Sequence, residues 1–209
     1  MKRIVLLFLA LSALTASAEN ASWLRYPSIS PDGNNVAFSY KGDIYIVDSE
    51  GGEARQLTSN PAYDYSPVWS PDGKTLAFAS DRYGNFDIFT IPVTGGVPFR
   101  VTTHSAKETP WTFTPDGKRL LFTARIQDPA ESALFPKATM TELYSVSVNG
   151  GRYEQVLATP AEEVSFIGNN GSFVYQDCKG GENIWRKHHT SSITRDIWIY
   201  DGTRHTKLT

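Results

Sequence analysis

The sequence predicts an all-β protein, a β-propeller built from four-stranded antiparallel blades. Pro-Asp-Gly turns begin at Pro31, Pro71 and Pro115, which lie 40 and 44 residues apart, and a period of roughly 40 to 45 residues is typical of propeller blades. A strand with alternating apolar side chains also recurs along the chain. Because this strand has four copies, the chain is predicted to contain four blades. The copies lie at residues 43–47, 87–91, 142–146 and 196–200.

The most regular copy of the repeat lies at residues 66–92. An apolar strand start is followed by the turn Pro71-Asp72-Gly73, an alternating strand, a second turn at residues 81–85 and another alternating strand. Proline presets φ, aspartate bonds the backbone two residues on, and glycine accepts the positive φ of a tight turn. Two hairpins in succession make a meander, which buries an apolar face only when several copies pack together.

Residues 1–18 have the pattern of a signal peptide. Lys2 and Arg3 precede an apolar run that starts at Ile4, and Ala16-Ser17-Ala18 ends the segment. The apolar run is shorter than the ~20 residues that span a bilayer, and the small residues form an Ala-x-Ala cleavage site. We expect the mature chain to start at Glu19, to be periplasmic or otherwise exported, and not to insert into a membrane after cleavage.

Residues 19–209 are predicted to form one propeller domain. Sixteen glycines, 12 prolines and 12% aromatic residues suit many short strands and turns, and no convincing amphipathic helix is present. In the fourth blade, Gly168-Asn169-Asn170-Gly171 takes the place of the Pro-Asp-Gly turn. The blades are expected at about residues 26–58, 65–102, 109–157 and 162–209.

Charge and cysteine content exclude several classes of function. A formal net charge of −2 gives no overall attraction to nucleic acid or to an anionic membrane, so neither is predicted as a partner. Cys178 is the only cysteine, so the chain forms no internal disulfide. No spacing places a histidine beside Cys178, and we interpret it as a buried bystander.

The strand order predicts two different faces. In an up-and-down blade, the Pro-Asp-Gly and Gly-Gly turns lie on one face, and the loops between the second and third strands lie on the other. Two of these loops are long, at residues 125–141 and 176–195. Because they belong to neighbouring blades, we expect them to lie side by side. Long loops on a rigid scaffold often carry binding sites.

The second long loop supplies the candidate binding residues. It carries Arg186, Lys187, His188 and Arg195, which suit a carboxylate or another anionic group. A solvated insertion with incidental charge is the alternative, and the sequence leaves it open. A metal site is not predicted, because adjacent side chains on a strand point in opposite directions and no third ligand has zinc spacing.

The search for catalytic motifs gives no candidate catalytic residue. No Gly-x-Ser-x-Gly, His-Glu-x-x-His or Ser-x-x-Lys motif is present. The paired glycines of the hairpins lack the helix, lysine and serine of a phosphate site. We therefore predict no cofactor, and no chemistry by this chain alone.

The repeat resembles that of two known families. Residues 70–82 (SPDGKTLAFASDR) with Asp87-Ile88-Phe89 are similar to the repeat shared by TolB-type periplasmic proteins and the N-terminal domains of tricorn-type serine peptidases. Residues 185–198 (WRKHHTSSITRDIW) resemble the long fourth-blade insertion of tricorn-like propellers. The signal peptide also leads directly into blade one, whereas TolB has a separate N-terminal domain. The tricorn-like resemblance is therefore preferred.

The resemblance implies a propeller module of a tricorn-like exported peptidase. Such enzymes have rings of six or seven blades and further domains that carry the catalytic serine, so the remaining domains of a longer peptidase would be partners. An oligopeptide or protein substrate would bind the propeller, and an unfinished ring would favour a homo-oligomer. The family holds a peptide carboxylate near the third blade, where Lys107 is the only lysine or arginine of residues 102–111. The alternatives are a TolB-like scaffold that binds envelope proteins and a truncated fragment without function.

Overall fold

The computed structural model describes residues 23–126, 141–177 and 195–209. In these residues the protein has sixteen strands and no helix. The strands form four separate sheets of four, and every pairing is antiparallel between strands consecutive in sequence. The prediction of an all-β propeller with four meander blades is confirmed. In these ranges no helix has the length and hydropathy needed to cross a bilayer.

The strands are short, and each blade takes four of them in chain order. Blades one and two consist of β1 (Arg25–Ile29), β2 (Asn35–Tyr40), β3 (Asp43–Asp48), β4 (Arg55–Gln56), β5 (Asp64–Trp69), β6 (Thr75–Ser80), β7 (Asp87–Pro92) and β8 (Phe99–Arg100). Blades three and four consist of β9 (Glu108–Phe113), β10 (Arg119–Ala124), β11 (Glu142–Ser147), β12 (Glu154–Leu157), β13 (Ala161–Phe166), β14 (Phe173–Asp177), β15 (Ile197–Tyr200) and β16 (His205–Lys207).

The first hairpin of each of blades one to three closes through the same side-chain contacts. In blade two, Ser70 Oγ donates to Asp72 Oδ1 at 2.6 Å, and the same oxygen accepts from the Lys74 backbone N–H at 3.1 Å. Gly73 has φ of +68°, a conformation that glycine adopts without steric cost. The sequence therefore specifies this turn locally, through serine or threonine, aspartate and glycine.

The first strand of each blade contains an irregularity that the residue pattern did not predict. In β5 the register with β6 shifts between Tyr65 and Val68, and Ser66 has φ of +56°. Such a β-bulge bends the strand and increases its twist. Equivalent shifts occur in β1, β9 and β13.

Three apolar cores lie between successive blades. In the first, Ile44 and Leu57 of blade one pack with Trp69, Phe78 and Phe89 of blade two. Corresponding cores join blade two to blade three and blade three to blade four. The first strands also contact in sequence, β1 with β5, β5 with β9 and β9 with β13, which places them nearest the propeller axis. No comparable contact joins blade four to blade one in the described part of the chain.

Candidate functional site

The two faces of the propeller differ in construction. We call the face with the Pro-Asp-Gly and Gly-Gly turns the turn face. The opposite face carries the connections after β2, β6, β10 and β14 and the connections between blades, and we call it the loop face. The first strand of each blade starts at the loop face, because Ser80 at the end of β6 pairs with Asp64 at the start of β5. Side chains at these strand starts therefore meet near the axis.

Arg195 lies at the loop face, at the end of the second long loop. Its Nη1 donates to Glu162 Oε2 at 2.6 Å and to Gln176 Oε1 at 3.1 Å. Thr141 Oγ1, at the end of the first long loop, donates to the other Glu162 oxygen at 2.9 Å. Glu162 thus connects the ends of the two loops, and about one third of the Arg195 side chain stays accessible to solvent.

The other three predicted binding residues lie outside the described residues. Arg186, Lys187 and His188 belong to the same loop as Arg195. Their role as an anion-binding group stays a prediction. Residue 178, the single cysteine, falls in the same range.

Lys107 lies on an aromatic surface at the same face. Its Nζ is 5.3 Å from the ring centre of Tyr65 and 5.2 Å from that of Phe86. Those two rings meet edge to face at 5.0 Å, and Tyr26 and Tyr63 pack against Tyr65. An ammonium group over aromatic faces is attracted by the negative faces of the rings, and the apolar stem of a lysine can pack beside them. Sequence reasoning identified Lys107 but missed the rings, which come from three separate segments.

Two buried carboxylates lie at the starts of the first strands of blades two and three. Asp64 starts β5, and Arg82 Nη2 donates to both of its oxygens at 3.0 Å. Glu108 starts β9 in the same way and is fully buried. Arg82 lies two residues after the end of β6. The corresponding residue of blade three, two residues after the end of β10, is Ile126. Glu108 therefore lacks the cation that neutralises Asp64.

The surroundings of Glu108 keep it protonated at neutral pH. Burial is the main cause that raises the pKa of its carboxyl to about 8, and the nearby charge of Asp87 adds to the effect. Thr102 Oγ1 donates to Oε2, whereas Oε1 has no hydrogen-bond partner in the described part of the protein. Burial also raises the pKa of Asp87, against the opposing effect of Arg100, whose Nη2 is 2.6 Å from Asp87 Oδ2. Glu108, Asp87 and Thr102 are all buried, so this group is not open to a substrate.

The turn face offers grooves of a different character. Between blades one and two, Arg55 Nη2 donates to the Val93 carbonyl at 2.5 Å and crosses a groove of about 420 Å³. In the next junction Phe99 takes the place of Arg55, and the groove has about 750 Å³. The described residues that line this larger groove include Asp72 and Asp116 but no lysine or arginine. A carboxylate ligand is therefore better matched by the loop face than by this larger groove.

The aspartates of the Pro-Asp-Gly turns accept hydrogen bonds from residues of the same turn. The Ser70 hydroxyl is the main cause that lowers the pKa of Asp72, followed by the Lys74 backbone N–H. Asp32 and Asp116 have the same pattern with Ser30 and Thr114. The aspartates therefore recur along the chain because the turn that they close recurs.

Across residues 23–126, 141–177 and 195–209, no three His, Cys, Asp or Glu side chains are grouped to hold a metal.

Comparison with known proteins gives one family and several partial matches. The family model described as "Tricorn protease N-terminal beta propeller domain" matches residues 21–208. Over 55 residues the chain is 47% identical to "Uncharacterized peptidase YuxL" of Bacillus subtilis, and this matched segment covers 24% of this chain and 8% of that protein. Over 49 residues it is 45% identical to "Protein TolB homolog" of Chlorobium chlorochromatii, and this matched segment covers 22% of this chain and 11% of that protein.

Solved structures agree on the fold. The crystal structure of the tricorn protease superimposes with a TM-score of 0.68 at 24% identity, over 88% of this chain and 18% of that chain. At this identity the likeness concerns the fold alone. The chain spans about a tenth of the length of the curated relatives described above, and less than a fifth of the tricorn protease chain.

Proposed function

The chain belongs to the family of tricorn protease N-terminal β-propeller domains, and from this premise we propose that it is the propeller module of a tricorn-like exported peptidase. In this role it admits or binds oligopeptides at the loop face, and the catalytic centre lies elsewhere in the longer enzyme. Residues 1–18 direct its export to the periplasm or beyond.

The cations of the loop face support it as the binding face. Lys107 lies on the rings of Tyr65 and Phe86, and Arg195 ends a loop that also contains Arg186 and Lys187. An extended peptide offers a carboxylate for such cations and apolar side chains for the rings. In this proposal Glu162 holds Arg195 in place until a peptide carboxylate competes for it.

The proposal is tested with one fluorescent oligopeptide, prepared with a free C-terminal carboxylate and with an amide. Anisotropy titration should give tighter binding of the free acid, and the difference should shrink as salt rises, since exposed charges are screened over about 8 Å at physiological ionic strength. Replacing Lys107, Arg186 or Lys187 by Gln should weaken the free acid by up to about fivefold each. Glu162→Gln should strengthen it, because one carboxylate that competes with the peptide for Arg195 is removed.

Matched controls lie on the turn face. Lys118→Gln removes an exposed cation there, and Asp72→Ala removes a turn bond, so both should leave peptide affinity unchanged. Equal binding of acid and amide, or equal losses from Lys118→Gln and Lys107→Gln, would contradict the proposal.

A TolB-like scaffold is the second candidate, supported by the segment shared with the Chlorobium TolB homologue. A scaffold of this kind would bind a folded envelope protein and would not distinguish a peptide acid from its amide. The same titration separates the two functions.

A further inference from the structure

The aromatic surface of the loop face presents two exposed rings on a buried one. We define this surface by Tyr26, Tyr63, Tyr65 and Phe86. Tyr65 is only 5% exposed, and its hydroxyl oxygen is at hydrogen-bond distance, 3.1 Å, from Thr109 Oγ1. Tyr26 and Tyr63 pack against the Tyr65 ring with centres 5.3 and 6.1 Å away, yet they are 44% and 41% exposed. These two rings are therefore open to a ligand.

Tyr63 is held in place by the backbone although its ring is exposed. Its N–H donates to Asp81 Oδ1 at 2.7 Å, and the N–H of the next residue, Asp64, donates to the Gly42 carbonyl at 2.7 Å. A Cβ added at Gly42 would lie 3.4 Å from Tyr63 Cδ2, so the ring lies on the glycine turn of blade one. An aromatic side chain that is already positioned loses little conformational entropy when a ligand packs on it.

The connections of the blades that carry this surface are short. After β2, blade one turns through residues 41–42, and after β6, blade two connects through residues 81–86. The corresponding connections of blades three and four span residues 125–141 and 178–196. The aromatic surface thus occupies the part of the loop face where the chain itself builds least above the strand ends.

Lys107 and Tyr63 contact the same two rings. Lys107 Nζ is 5.3 Å from the ring centre of Tyr65 and 5.2 Å from that of Phe86. The ring centre of Tyr63 is 6.1 Å and 6.4 Å from the same two centres. A cation and an exposed ring are therefore neighbours on one base. The C-terminal residue of a peptide matches this pair, because it carries a carboxylate and a side chain on the same Cα.

We propose that the aromatic surface and Lys107 form a subsite for the last residue of a peptide, and that this subsite selects peptides that end in an aromatic residue. The inference rests on the proposed function and adds a side-chain preference to it. The peptide carboxylate pairs with Lys107 Nζ, and the aromatic side chain packs on Tyr63 and Tyr26. Aromatic pairs are favourable with ring centres about 4.5–7 Å apart, and the rings of the surface already pack at 5.0–6.4 Å.

Four labelled peptides of one sequence test the subsite: they end in Phe or Gln, each as the free acid and as the amide. Fluorescence anisotropy, with the chain expressed from the full 209-residue sequence, should show the Phe acid binding about fivefold more tightly than the Gln acid. Tyr63→Ala should reduce this preference for Phe to about twofold or less and retain the preference for acid over amide. Lys107→Gln should have the opposite effect, with the preference for acid reduced and that for Phe retained.

Two further variants serve as controls. Tyr63→Phe keeps the ring and should keep both preferences. Phe99→Ala removes a ring that is 52% exposed on the turn face, outside the aromatic surface, and should leave both preferences unchanged. Circular dichroism checks that each variant is folded, and Tyr26→Ala, which should also lower the preference for Phe, replaces Tyr63→Ala if that variant is not.

The results separate this inference from the proposed function. Free acids that bind better than amides, with equal affinities for Phe and Gln, would overturn the aromatic subsite and leave the proposed function standing. A full preference for Phe in a folded Tyr63→Ala variant would have the same meaning. Equal binding of acids and amides would contradict the proposed function, and the subsite would be refuted with it.

Discussion

At the scale of single residues, Glu108 has surroundings that differ from those of its counterpart in the preceding blade, Asp64. The first-strand position that it shares with Asp64 is fully buried in both blades. Arg82 neutralises Asp64 at 3.0 Å, but Ile126 stands at the corresponding place of blade three. A buried carboxylate without a hydrogen-bonded cation has a large desolvation cost, which the more distant Arg100 offsets only in part, and the proton on Glu108 avoids that cost at neutral pH.

Stability should therefore depend on pH through Glu108. Its pKa is about 8 in the folded protein against an ordinary value of 4.5, so the folded state binds more protons than the unfolded state between these pH values. The free energy of unfolding should fall as pH rises through this window, by a few kcal/mol in total at about 1.4 kcal/mol per pKa unit. Glu108→Gln should remove most of this fall, as measured by urea unfolding from pH 5 to pH 9.

Glu53→Gln, a change at an exposed glutamate, serves as the control and should keep the wild-type dependence. The same dependence in Glu108→Gln would show that other groups cause it.

At the scale of elements, the turns do more than reverse the chain, because some of them meet the neighbouring blade. Gly150 lies in the turn between β11 and β12 and has φ of +81°. A Cβ added there would lie 3.2 Å from the Val101 carbonyl of blade two. Gly171, in the first turn of blade four, has φ of +84°, and a Cβ added there would meet nothing within 4 Å.

Gly150→Ala should consequently destabilise the protein more than Gly171→Ala. Both changes impose a positive φ on alanine, which costs roughly 1 kcal/mol, and only the first also presses on the Val101 carbonyl. Thermal unfolding of the two variants beside the wild type measures the difference. Equal shifts would mean that the Val101 segment moves freely and that this turn is no part of the blade junction.

At the scale of the whole molecule, stability is distributed along the arc of blades. Blades two and three each pack on two neighbours, whereas in the described residues blades one and four pack on one neighbour each. In repeat architectures stability is approximately a sum over units and nearest-neighbour interfaces. The two outer blades should therefore open first.

Hydrogen exchange should reveal this order. Backbone amides of β6 and β10 should be protected more strongly than those of the equivalent strands β2 and β14, because local opening of an outer blade breaks only one junction. Equal protection of the four strands would indicate that the blades unfold as one unit.

The sequence by itself determined the features that depend on neighbouring residues. The turn at Pro71-Asp72-Gly73 closes through bonds spanning two to five residues, so its chemistry is readable from the chain and its recurrence gives the period of the blades. The replacement turn at residues 168–171 was predicted for the same reason. Alternation of apolar side chains likewise identified the third strand of every blade, since successive residues of a strand point to opposite faces.

Only the tertiary structure decided which distant side chains meet. Arg82 and Asp64 are 18 residues apart and Lys107 and Tyr65 are 42 apart, and no local pattern distinguishes the cation that neutralises a carboxylate from one that lies on aromatic rings. The pairing of Arg195 with Glu162 could not be predicted from the sequence for the same reason. The burial of Ile44, Ile88 and Leu143 likewise depends on the next blade along the chain, because a side chain on the flank of one sheet is covered only by side chains that come from another sheet.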